Sequence, residues 1–206
     1  MTLRIFAKSY QSIPQICRLI ERGEVLAVPT ETAYGLVADA TSVRAMKHIL
    51  ELKGRRGSKT IPLVIASLRQ AQKWARFSDK EKKLAQKYWP GPLTIVLKAK
   101  RKLPRGVLSP RGAIGLRVPG DSWLRKLLFV YGKPLTATSA NITGGATPYT
   151  VSAVKKSLVK RGLKYLVNGG RLKRRPTSTI AQIVNGQVKI LRPGAVSEKR
   201  LRRVVS

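Results

Sequence analysis

The chain is poor in the residue types that carry much of protein chemistry: of 206 residues, one is cysteine, one is histidine and nine are aspartate or glutamate. A single cysteine, Cys17, excludes an intramolecular disulfide. It shares one face of a helical pattern with Ile13, Ile16 and Ile20, so a buried, unreactive thiol is expected. His48 sits in another helical pattern with no histidine or cysteine to join it, so no metal site is expected. No apolar run approaches the ~20 residues that cross a membrane. The N-terminus lacks the charged and then apolar regions of a signal peptide. A reduced, cytoplasmic setting without a membrane partner is therefore the expectation.

The shortage of carboxylates stands against 42 lysines and arginines, a net charge of +33. Such a charge opposes compaction and attracts polyanions, with nucleic acid the foremost candidate. A surface that drifted to Lys and Arg without a partner is the other reading. Outside residues 53–59, the densest basic stretch holds Lys155, Lys156, Lys160, Arg161, Lys164, Arg171, Lys173, Arg174 and Arg175. A hydrophobic content of 43% supports a proper core, and the length suggests one domain over residues 1–206.

Apolar strand-like runs alternate with helical patterns. Helices are expected over 12–22, 41–52, 68–75, 79–88, 121–130, 151–160 and 197–205, the fourth with Ser78 as its N-cap. Strands are expected over 25–28, 62–66, 93–97, 113–118 and 135–138. Asn185-Gly186 between 179–184 and 187–191 is a strong two-residue hairpin signal. The pattern predicts an α/β fold with a twisted, mixed central sheet flanked by helices.

Several short polar strings stand out. Lys53, Arg55, Arg56 and Lys59 place four cations within seven residues just past a helix, either a compact anion site, in which Arg offers a planar fork and Lys a point charge, or a solvated basic loop. The glycine spacing of a Walker P-loop is absent. Ser139-Ala140-Asn141 follows a short strand and precedes a Gly-rich segment, a composition suited to a binding crevice and equally to an ordinary loop. Thr30, Thr32 and Tyr34 surround Glu31 after a strand. Arg117 lies inside an apolar strand, where a charge must be paired or face a cavity; with so few carboxylates, an anionic ligand is the expected partner. Arg192 ends a strand in the same way, before Pro193-Gly194.

Taken in order, Pro29-Thr30-Glu31-Thr32-Ala33-Tyr34-Gly35-Leu36, Lys53-Gly54-Arg55, Trp89-Pro90-Gly91-Pro92-Leu93-Thr94, Ser139-Ala140-Asn141 and Leu191-Arg192-Pro193-Gly194 resemble the YrdC family of L-threonylcarbamoyladenylate synthases, from about Val25 to Gly194. The resemblance implies a YrdC-like fold with a basic ligand cleft. It also implies an enzyme that makes threonylcarbamoyl-AMP and pyrophosphate from L-threonine, bicarbonate and ATP. That product feeds N6-threonylcarbamoyladenosine formation in tRNA through a downstream threonylcarbamoyl transferase complex.

By motif, Lys53 and Arg55 take the catalytic Lys-x-Arg positions. ATP contacts fall to Lys53, Arg55, Lys59, Ala113, Ser139, Asn141, Thr147 and Arg192, and threonine contacts to Thr32, Arg117, Ala137 and Ser178. The chain departs from the family at Arg56, where proline is usual, and at Val64, near which many members carry a histidine. Catalysis would consist mainly of aligning the anionic carbamate with the α-phosphate and neutralising developing charge. With no protein cage expected, Mg2+ would arrive on ATP, held by phosphates and water. A YrdC-fold RNA-binding protein without synthase activity is the alternative. A carbamoyl-transfer domain of hydrogenase maturation is weaker, since its zinc-finger cysteines are missing.

Overall fold

The computed structural model describes residues 2–54 and 60–205. Its strands form two mixed sheets rather than one central sheet. The first contains β1 (Arg4–Ala7), β2 (Leu26–Pro29), β3 (Tyr34–Val37), β8 (Thr138–Ser139) and β9 (Tyr165–Asn168), in the order β1-β9-β2-β3-β8. The second contains β4 (Leu63–Val64), β5 (Leu93–Lys98), β6 (Ala113–Arg117), β7 (Leu135–Thr136), β10 (Thr179–Val184) and β11 (Gln187–Arg192), in the order β11-β10-β5-β6-β4-β7. The expected strand over 135–138 is thereby split, with one pair of residues in each sheet. Thr136 stitches the sheets together: its hydroxyl accepts from Ala38 N–H at 3.0 Å and donates to Leu36 at 3.3 Å.

Among the described residues seven helices flank the sheets: α1 (Ile13–Glu21), α2 (Val43–Lys53), α3 (Leu68–Ala71), α4 (Asp79–Tyr88), α5 (Ser122–Tyr131), α6 (Val151–Leu158) and α7 (Glu198–Val205). The boundaries of α4 are those expected, because Ser78 and Glu81 form a reciprocal capping box. The Asn185-Gly186 hairpin forms with positive φ at both residues, 49° and 75°. α3 is shorter than expected, and β1, β3 and β9 had no sequence expectation.

Two apolar clusters form the core. One gathers Ile49, Leu52, Leu63, Ile95, Leu116 and their neighbours. The other lies beneath α1 and α5 and holds Ile16, Cys17, Trp123 and Leu127. Cys17 is buried as expected, and burial pushes its thiol up to about 11. No helix among the described residues is long and apolar enough to cross a membrane.

Candidate active site

α2 carries Lys53 inward. Leu52 and Lys53 are both buried, Lys53 to 5% exposure, and Gly54 turns the chain out of the helix in the left-handed region at φ 58°. Lys53 Nζ donates to the carbonyls of Ser139 (2.7 Å) and Asn141 (3.0 Å), and Thr143 N–H donates to Lys53 O at 3.0 Å. Ser139, at the end of β8, donates its hydroxyl to Asn141 Oδ1 at 2.5 Å. Asn141 Nδ2 donates in turn to the carbonyls of Gly145 and Ala146, so the Gly-rich segment wraps around the amide. The first half of the Lys-x-Arg string thus meets the Ser-Ala-Asn string.

Arg161, from the basic stretch, joins them. Its Nε and Nη2 donate to the carbonyls of Leu52 (2.7 Å) and Glu51 (2.9 Å). Arg55, Arg56 and Lys59 lie outside the described residues.

The β2–β3 turn forms the second part of the site. Thr30 Oγ1 accepts from the N–H groups of Thr32 (3.1 Å) and Ala33 (3.2 Å), donates to Ala33 O (2.7 Å) and lies 3.0 Å from Thr32 Oγ1. β3 pairs with β8, Gly35 opposite Ser139, so this turn stands beside the Ser-Ala-Asn string. From the turn Glu31 reaches the other sheet, where its Oε1 accepts from Arg117 Nη2 and from Gly120 N–H. Arg117 Nε donates to Gly91 O at 3.1 Å.

Arg117, 8% exposed, is therefore paired by the protein itself. The loop after β2 thus delivers one of the few carboxylates to a guanidinium for which the sequence reading expected an anionic ligand. Burial would raise the Glu31 carboxyl, but the Arg117 guanidinium and the Gly120 N–H more than offset it and hold the group below the usual carboxylate range. Glu31 is the residue whose role the sequence reading missed. The available signal was a carboxylate between two threonines in a chain with nine acidic residues.

The third part is a row across the second sheet. Val64 is in register with Arg117, Thr94 with Ile180, and Ile180 with Arg192. Ser178, 5% exposed, lies with its hydroxyl 3.0 Å from Thr94 Oγ1 and 3.0 Å from Arg192 Nη2, while Arg192 Nη2 also donates to Ser178 O at 2.6 Å. Partial burial, and after it the positive charge of Arg117, hold Arg192 below its ordinary value. Gly194 allows this closure, because a Cβ there would lie 2.3 Å from Thr177 O.

The remaining expected residues are placed differently. Ala137 N–H donates to Pro62 O at 2.8 Å, between the sheets. Thr147 is half-buried in the segment before α6. Ala113 begins β6, four residues and ~13 Å along the strand from Arg117. Its N–H donates to Ser109 Oγ at 2.9 Å and its carbonyl accepts from Ser109 N–H at 2.9 Å, so the main chain expected to meet a ligand is already engaged.

Tyr34 is fully buried and structural: its hydroxyl donates to Gly170 O (2.8 Å) and accepts from Gly169 N–H (2.9 Å). Two surface hollows of about 730 and 330 Å3 are lined by other residues, Arg125 and Phe129 in the first and Trp74 and Arg101 in the second. Among the described residues no group of three or more His, Cys, Asp or Glu is positioned to hold a metal.

Known proteins share this sequence and architecture. The putative threonylcarbamoyl-AMP synthase of Methanocaldococcus jannaschii is 33% identical over 184 residues, 89% of this chain and 86% of that relative. The threonylcarbamoyl-AMP synthases of Pyrococcus abyssi and Bacillus subtilis are 31% and 33% identical over 90% and 94% of this chain. They are longer proteins, and the chain matches 55% and 56% of their lengths. The solved structure of P. abyssi Sua5 complexed with L-threonine matches with a TM-score of 0.90 at 28% identity, over 99% of this chain and 61% of that one. E. coli YciO shares the fold, with a TM-score of 0.86 at 23% identity over 98% of this chain and all of that one. The family model Sua5/YciO/YrdC, described as "Telomere recombination", matches residues 18–194, and the chain belongs to this family.

Proposed function

We propose that the chain is an L-threonylcarbamoyladenylate synthase, a nucleotidyltransferase that makes threonylcarbamoyl-AMP and pyrophosphate from L-threonine, bicarbonate and ATP. The observation that carries the reading is the junction of Lys53 with Ser139 and Asn141, in a chain whose relatives at 31–33% identity bear that activity's name.

In this reading Lys53, Arg55, Lys59, Ser139, Asn141, Thr147 and Arg192 serve ATP in a basic cleft. Arg117, Thr32, Ala137 and Ser178 serve threonine. Ala113 is the weakest member of the ATP set, given its engagement with Ser109. The carbamate formed from threonine's amine and bicarbonate is an anion that must approach the α-phosphate, another anion. Convergent cations lower that barrier by neutralising charge that develops between them. Mg2+ comes with ATP, since the donor set near these residues is cationic and hydroxylic.

The whole chain acts as one unit in the cytoplasm and passes its product to a threonylcarbamoyl transferase complex acting on tRNA. Direct contact with tRNA or other RNA is supported by the charge and by the exposure of Lys173, Arg174 and Arg175. The decisive experiment incubates the protein with ATP, bicarbonate and labelled threonine. Release of pyrophosphate together with labelled threonylcarbamoyl-AMP is expected. RNA binding without either product would establish the alternative, an RNA-binding member of the fold.

A further inference from the structure

Glu31 uses one side of its carboxylate. Oε1 accepts from Arg117 and from Gly120 N–H, whereas Oε2 is buried and has no hydrogen-bond partner, the one such side-chain atom among the described residues. Native structures rarely leave a buried acceptor unpaired, because it has given up water for nothing. Arg117 has spare capacity beside it: Nη2 and Nε are engaged, and Nη1 makes no hydrogen bond among the described residues. A negative acceptor without a donor thus stands next to a positive fork with a donor to spare. Together they complement a zwitterion, an ammonium and a carboxylate on the same carbon.

We infer that Glu31 Oε2 receives the amino group of an α-amino acid whose carboxylate is held by Arg117, so that Glu31 selects an amino acid over its deaminated analogue. This rests on the reading of the chain as a synthase acting on an amino acid. The contact outlasts formation of the carbamate: the ammonium and bicarbonate give the N-carboxylate, water and a proton released to solvent, and the nitrogen keeps one N–H that goes on donating to Oε2. The new carboxylate on the nitrogen is repelled by Glu31 and faces away from it, toward the cations that would hold ATP. Glu31 is thus a specificity and orienting residue.

The test measures binding of L-threonine and of 3-hydroxybutanoate, the same molecule without its amine, to the wild type and to Glu31→Gln. The wild type is expected to bind threonine at least ~10-fold more tightly, as for a charge-assisted hydrogen bond. Glu31→Gln should remove most of that gap by weakening threonine alone. Equal wild-type affinity for the two ligands would overturn the inference whether or not the variant folds. An equal loss for both ligands in the variant would also overturn it, since Glu31 would then serve only to hold Arg117. If the wild type binds a different amino acid and discriminates against its deaminated analogue, the threonine reading fails and the role of Glu31 stands. If it binds none of the twenty, both fail.

Discussion

Lys53 Nζ lies 2.7 Å from the carbonyl oxygen of Ser139, a residue 86 positions away. A second bond, to Asn141 O at 3.0 Å, makes the ammonium a clamp on the Ser-Ala-Asn turn. The clamp presents the Ser139 and Asn141 side chains in a fixed relation, their mutual hydrogen bond included. Lys53 therefore shapes the site as well as charging it.

Lys53→Met keeps the stem of the side chain and removes its donors, which leaves two part-buried carbonyls poorly paired. A loss of about 1–3 kcal/mol in stability is expected, read as a lower urea midpoint with an unchanged slope. ATP affinity should fall at least ~10-fold in the folded variant. An unchanged midpoint would mean that the clamp does not hold the turn.

Arg55→Ala tests the other half of the string. It should weaken ATP binding or slow pyrophosphate release by at least ~10-fold, the effect of removing one charge-assisted bond. Wild-type titration and rate would remove Arg55 from the site.

The Glu31–Arg117 pair sets an acid sensitivity. The folded carboxyl titrates below its ordinary 4.5, so its contribution to stability is complete above that value and is lost as the pH falls through the lowered one. Urea midpoints taken from about pH 7 to about pH 3 should fall more steeply for the wild type than for Glu31→Gln. Parallel curves would show that the pair contributes no linkage.

Side-chain specificity follows from the proposed threonine contacts. With Thr32 and Ser178 proposed to serve a hydroxylated amino acid, kcat/KM should rank threonine above serine and both well above valine, which leaves buried polar groups unpaired. Valine turnover close to that of threonine would remove these hydroxyls from the pocket.

The exposed run at Lys173, Arg174 and Arg175 should bind RNA through phosphates. Affinity for tRNA should drop steeply with salt, and changing all three residues to Ser should lower the slope of log K against log salt by about 0.7–0.9 for each phosphate left without its cation. A flat salt dependence, or an unaltered slope in the variant, would sink the assignment. Synthase activity of the variant is expected to match the wild type.

Local signals explain what was legible from the sequence. α4 was bounded by the Ser78–Glu81 capping box and the final hairpin by Asn185-Gly186, because both are decided by neighbouring residues. β1 buries only Phe6 and so lacks alternation, while β3 is buried almost throughout and contains a glycine. Both exist because β9 and β2 pair with them, information that lies far away in sequence. The polar strings were legible as strings. The partner of Arg117 was not, because residues 31 and 117 are joined by the crossing of two sheets and by no spacing rule. The same limit hid Arg161, which reads as one more cation in a basic stretch.

Phosphate sites commonly use the beginning of a helix, where free N–H groups and the macrodipole present positive partial charge. α2 delivers Lys53 from the opposite end, where free carbonyls concentrate about half a negative charge. Arg161 covers two of those carbonyls, Glu51 and Leu52, with a full positive charge. It offsets the negative end of the helix dipole, and its conversion to a neutral residue would let the helix itself oppose the ATP proposed to bind beside its last residue.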